Sequence, residues 1–199
     1  SLLPRLIREA EMALRVYRGQ VGQDRARHLA VMVHLLARPF VKWVGQAPLA
    51  LLPAERAMTI AEESADPGLI GAAAWNLAQA QSTLGHPEVS VQVAEAAIAH
   101  LAGAAARDDA PAGLLSAFGA LHLIGSIGAV RGDDQRGALI LLRGAAEIAA
   151  RVGEDRNYYR LAFGPTNVAQ HRIAHEVERG HSMLALSGAA RLVADRSPS

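Results

Sequence analysis

His171 and His175 stand four residues apart on what reads as one helix, with Glu178 and His181 close behind. That spacing puts two imidazoles on one side of a helix, where they could offer two ligands to a metal. No third ligand falls at a position that completes a set, so the pair reads as packing or as a solvated face. Ser126 lies in Gly125-Ser126-Ile127-Gly128. A hydrolase serine needs a strand, a sharp elbow and a helix around it, and this one falls inside a helical run. Glu62-Glu63 and Asp108-Asp109 are adjacent carboxylates. Neighbours in sequence diverge on a helix or lie exposed in a loop, so neither makes an acid–base pair. No Gly-x-Gly-x-x-Gly or Walker phosphate loop is present. The expectation is a protein that is not an enzyme and carries no metal or cofactor.

Binding chemistry is better represented. Within 157–171 three of the six Tyr and Phe residues cluster as Tyr158, Tyr159 and Phe163, followed by Gly164-Pro165 and by Asn167, Gln170 and His171. Gly164 reads as an unusual backbone angle, and Pro165 suits the first turn of a helix, where no amide donor is missed. An aromatic, polar junction thus leads into a helix whose early turns offer hydrogen-bonding groups. Asn167 suits either the cap of that helix or a groove. The alternative for the stretch is a loop whose tyrosines cover the end of a helix stack.

The elements that hold these residues read as helical throughout. Apolar residues recur at three- and four-residue spacing, and no segment alternates with period two. The pattern predicts helices over 2–18, 25–44, 49–64, 69–84, 88–101, 113–130, 134–151, 166–179 and 182–194. Asp24 is expected to cap the second, Pro39 to kink or divide it, and the last five residues to fray. The sixth, with Gly119, Gly125 and Gly128, reads as intrinsically weak.

The 199 residues suit one domain, 51% hydrophobic and only 4% aromatic. Net charge is +1, too balanced to argue for nucleic-acid binding by this segment. Residues 1–44 are basic, with eight Lys or Arg against three Asp or Glu. There is no cysteine. No signal peptide is visible, and the apolar run 119–130 is too short to span a bilayer. A cytoplasmic protein without membrane contact is expected.

Turn glycines at Gly45, Gly85, Gly132 and Gly180 recur at the spacing of helical-hairpin repeats. Leu77, Ala78, Gly85 and Ala97, and then Ile124, Gly125, Gly132 and Gly137, fall on the positions that a tetratricopeptide repeat gives to Leu, small residues and Gly. Gln81 and Gly128 replace its usual Tyr. The predicted fold is all-α: a right-handed stack of antiparallel helical hairpins over 1–199. A single helical bundle is the structural alternative.

Counting back from these glycines, the first helix of each pair turns Trp75, Asn76 and Gln79, then His122 and Ser126, then Asn167, Gln170 and His171 toward the concave face. The Asn157-Tyr158-Tyr159-Arg160 loop would close one end. That list holds one large aromatic with amide, hydroxyl and imidazole groups and almost no charge. Such a groove suits a weakly polar small molecule, or a peptide held through its backbone.

Two segments carry a resemblance. One is Ala61-Glu62-Glu63-Ser64-Ala65-Asp66-Pro67 with Gly71-Ala72-Ala73-Ala74-Trp75-Asn76-Leu77-Ala78. The other runs from Asp155-Arg156-Asn157 through Ala162-Phe163-Gly164-Pro165-Thr166-Asn167-Val168-Ala169-Gln170-His171 to Val177-Glu178-Arg179-Gly180. Together they resemble the C-terminal tetratricopeptide-like region of actinobacterial helix-turn-helix transcriptional regulators of the XRE class. The resemblance implies a sensory or dimerising region, a homodimer, a small-molecule or peptide effector, and DNA contact only through a domain that this segment does not include. A protein-interaction scaffold with no small-molecule ligand is the alternative.

Overall fold

Ala and Leu dominate this sequence because the chain is built from helices that approach one another closely. The computed structural model describes residues 2–194, and the fraying expected of the last five residues lies outside them. Nine α-helices follow in order: α1 (Leu2–Val16), α2 (Gln23–Trp43), α3 (Leu51–Glu62), α4 (Pro67–Thr83), α5 (Pro87–Ala105), α6 (Ala112–Arg131), α7 (Gln135–Val152), α8 (Pro165–Glu178) and α9 (Ser182–Ala194). Short 3-10 turns at Ala47–Ala50 and Tyr158–Arg160 join two of the pairs. No strand occurs among the described residues.

Local chemistry sets the boundaries. Asp66 caps α4, its Oδ1 accepting from Gly68 N at 2.9 Å and Leu69 N at 3.2 Å, with Pro67 in the first helical position. Asp134 caps α7 by accepting from Gly137 N at 2.9 Å. Gly45, Gly85 and Gly180 take left-handed angles of φ 78, 85 and 73 after α2, α4 and α8. The turn after α6 departs from the expected pattern. Gly132 has φ −88, and the left-handed residue is Asp133, at φ 63. Asp24 does not cap α2 either: the helix starts two residues earlier than expected, at Gln23 behind Gly22. It also continues through Pro39 to Trp43 instead of dividing there.

Consecutive helices pack on one another, and α2, α4, α6 and α8 also pack in series. The central element is α6, buried on every side by α4, α5, α7 and α8. By length and apolar composition it would suffice to cross a membrane, being longer than the 119–130 run, but 83% of it is buried inside the protein. Its glycines are not soft points but places of close approach. A Cβ on Gly125 would press on Leu141 and Ala94 at 3.2 and 3.4 Å, and one on Gly128 would lie 2.8 Å from Val91. One on Gly119 would overlap the outer ring carbons of Phe163, a fully buried side chain. Across α4, Gly71 plays the same part toward Ala117 and Leu101.

Candidate functional site

A groove of about 600 Å³ lies between α1, α2, α4 and the loop that follows α7. The amphipathic α1 brings Leu3 and Leu6, α2 brings Leu35 and Phe40, and the loop brings Leu161. Arg38, Asn76, Tyr159 and Arg160 interrupt these apolar walls. Arg38 is 8% exposed, and its guanidinium carbon lies 5.7 Å from the centroid of the Trp75 ring. Burial lowers its pKa to about 10, so it remains a cation at neutral pH. Asn76, next to Trp75 on α4, is 2% exposed and donates from Nδ2 to the Leu35 carbonyl at 3.3 Å. That bond fixes the amide orientation and leaves Oδ1 buried with no hydrogen-bond partner.

The loop owes its shape to its own polar residues. Gly153, at φ 81, ends α7. Arg156 N donates to Phe163 O at 3.0 Å, and Asn157 Oδ1 accepts from Ala162 N at 3.2 Å. Asp155 Oδ1 accepts from Thr166 N at 3.0 Å and so satisfies the start of α8. Neither role expected for Asn167 as a cap nor the unusual angle expected for Gly164 is needed. Gly164 has φ 166, which is extended backbone. Its lack of a side chain matters because a Cβ there would lie 2.6 Å from Asp155 Cα.

Three of the four non-glycine residues with positive φ among the described residues fall in this loop: Tyr159 at 50, Arg160 at 62 and Ala162 at 49. Each such residue costs roughly 1–2 kcal/mol, so the surrounding contacts must hold the shape. The chief contact is the Tyr159 hydroxyl, which donates to the Asp66 carboxylate at 3.3 Å. Burial and the Asp66 charge both raise the Tyr159 pKa, which keeps the phenol protonated as a donor. Gly68 and Gly113 leave room for its ring, and the His28 ring lies 6.1 Å away. Tyr159 thereby presents one edge to the groove and anchors the loop at the start of α4.

The sequence-derived candidates do not converge on this groove. Trp75 and Asn76 line it. Gln79, Asn167, Gln170 and His171 line a separate depression between α4, α6 and α8, and Asn157 shares a small hollow with Asn167 and Gln170. His122 faces a third, between α5, α6 and α7. There its Nδ1 pairs with Phe118 O at 2.9 Å, and burial lowers its pKa. Ser126 faces none of these: it is 1% exposed, and its Oγ donates to Leu123 O at 2.8 Å within α6. Because α6 is buried on all sides, its inward positions are core and not groove. Tyr158 is 42% exposed and lines none of these depressions. Tyr159 and Arg160, from the loop expected to close one end, do line the groove, whereas Arg38 was not among the candidates. The available signal was an arginine set in the otherwise apolar run Leu35-Leu36-Ala37-Arg38-Pro39-Phe40.

No cluster of three or more His, Asp and Glu side chains suited to a metal occurs among the described residues, and His175 is 1% exposed with Nε2 unpaired. What the groove offers is a recognition set: apolar walls, a guanidinium, an amide and a phenol. Comparison with family models, curated proteins and solved structures finds no match to this chain.

Proposed function

We propose that the chain is the ligand-responsive regulatory domain of a bacterial transcriptional regulator, with the groove beside Trp75 as its sensor. The observation that carries this reading is the Arg38 guanidinium, buried in the groove wall with no carboxylate partner among the described residues. Leaving a buried polar group unpaired costs about 1–3 kcal/mol, a cost that a bound partner would remove. On this reading the nine helices form a right-handed stack of tetratricopeptide-like hairpins, in keeping with the serial packing of α2, α4, α6 and α8. A stack held by neighbour contacts changes curvature without breaking a single core. The groove draws its walls from α1, α2, α4 and the 159–161 loop, so an occupant would bridge parts of the stack that are distant in sequence. It would act only through a difference in affinity between two curvatures. DNA would be contacted through a domain outside this chain, carried on a homodimer in the cytoplasm.

A second reading, the interaction scaffold, draws on different residues. Trp43 at the groove rim is 84% exposed, and Met183, Leu184 and Leu186 on α9 are 75%, 60% and 64% exposed. Such apolar faces suit another protein surface. The small-molecule fraction of a cell extract separates the two. The sensor reading expects that fraction to raise the thermal midpoint of the chain, and Trp75→Ala to abolish the rise. If the fraction leaves the midpoint unchanged, the scaffold reading takes its place.

A further inference from the structure

The charge balance of the groove differs from that of the rest of the molecule. Elsewhere, partly buried arginines are matched. Arg27 faces Asp24 and Glu63 at 3.4 and 3.5 Å, and Arg56 clamps Glu11 at 2.8 and 2.6 Å through two nitrogens. Even the exposed Arg151 is satisfied, by the carbonyl oxygens of Ala105 and Arg107. Arg38 is more deeply buried than any of these, yet no carboxylate stands within 4 Å of it among the described residues, and its Nε has no acceptor. The second cation of the lining, Arg160, is likewise without an acidic partner, and the lining contains no Asp or Glu. A guanidinium taken out of water with no counter-ion is expensive to bury. In this fold the missing anion has one place to stand, which is the groove.

We infer that the groove binds a small amphipathic carboxylate, its head paired with Arg38 and its apolar body laid along Leu6, Leu35, Phe40 and Leu161. The inference rests on the groove being a small-molecule site. The fork of a guanidinium fits a planar carboxylate through two parallel bonds, and the Trp75 ring lies beside the fork of Arg38 at cation–π distance. The volume of about 600 Å³ accommodates one such molecule.

Both tryptophans of the chain, Trp43 and Trp75, line the groove, so intrinsic fluorescence reports its occupancy directly. The test titrates the intact chain with decanoate, methyl decanoate and decylamine. Decanoate is expected to change the emission and to bind about ten- to a hundredfold more tightly than the ester, with the amine weakest. Arg38→Met should remove the preference for acid over ester while leaving the thermal midpoint equal or higher, because an unpaired buried charge has been taken away. Arg38→Lys, which keeps the charge but not the fork, should restore only part of it. Equal binding of acid and ester to the unmodified chain would overturn the head-group assignment and leave the small-molecule reading standing. If none of the three changes the emission, the assignment also falls, and the extract experiment decides the wider reading separately.

Discussion

Adding one methyl group at Gly119 produces effects of opposite sign under two pictures of α6. If the glycine were a soft, exposed point in a helix, Ala would stabilise the protein by about 1 kcal/mol through helix propensity. In the structure the new Cβ overlaps the outer ring carbons of Phe163, which is 0% exposed. Overpacking a filled site costs about 1–3 kcal/mol, and an overlap with ring carbons belongs at the upper end. After the propensity gain, the net loss is about 1–2 kcal/mol, or roughly 2–8 °C in thermal midpoint for a chain of this size. Phe163→Leu opens the space that the methyl needs. In that background Gly119→Ala should be neutral or stabilising, so the double-mutant cycle shows a coupling of about 1 kcal/mol or more. Phe163→Ala alone should cost about 3–5 kcal/mol. Urea unfolding followed by far-UV circular dichroism measures all four variants. If Gly119→Ala stabilises the unmodified chain, the seating of Phe163 on α6 is wrong, and so is the loop geometry that depends on it.

Two further outcomes follow from the packing. Burial lowers the pKa of His34, His122 and His171, so below about pH 6.5 the unfolded chain binds protons that the folded chain refuses, and stability falls with pH through that window. Glu11, held low chiefly by its hydrogen bonds from Arg56, adds a contribution present above about pH 4.3 and lost as pH falls through its folded-state value. Scanning calorimetry should therefore give a lower midpoint at pH 5.5 than at pH 7.5; a flat or rising profile contradicts this. Gly164→Ala should destabilise by about 1–3 kcal/mol through contact with Asp155 and not through backbone angle. Because Asp155 Cα and Glu154 O are backbone atoms, no side-chain substitution at Asp155 should restore the loss in urea unfolding.

Sequence periodicity reached the helices to within a few residues, because apolar spacing and the punctuation by Gly and Pro are local signals. It located Pro165 at the head of α8 and the turns at Gly45, Gly85 and Gly180 for the same reason. It missed Asp66 as cap and as anchor for Tyr159, since that contact joins residues 93 positions apart. The glycines of α6 were misread because a helix glycine looks alike in sequence whether it faces water or the ring of Phe163. The groove was placed by counting along the first helix of each pair, which found Trp75 and Asn76. The rule failed at Ser126, where α6 has neighbours on all sides. It also passed over Arg38, because its pattern matching asked which residues could face inward and not which charge lacked a partner.

The anchor between Tyr159 and Asp66 has a consequence for the order in which a newly made chain matures. Residues 2–76 supply three walls of the groove, and they leave the ribosome long before the 159–161 loop exists. Closing a loop of that length is entropically unfavourable until α8 and the Phe163 seat on α6 can hold it. A nascent chain halted before residue 165 thus exposes Arg38 and Trp75 to water on an unfinished face. On the sensor reading, any competence to recognise a ligand would arrive only once this loop is made.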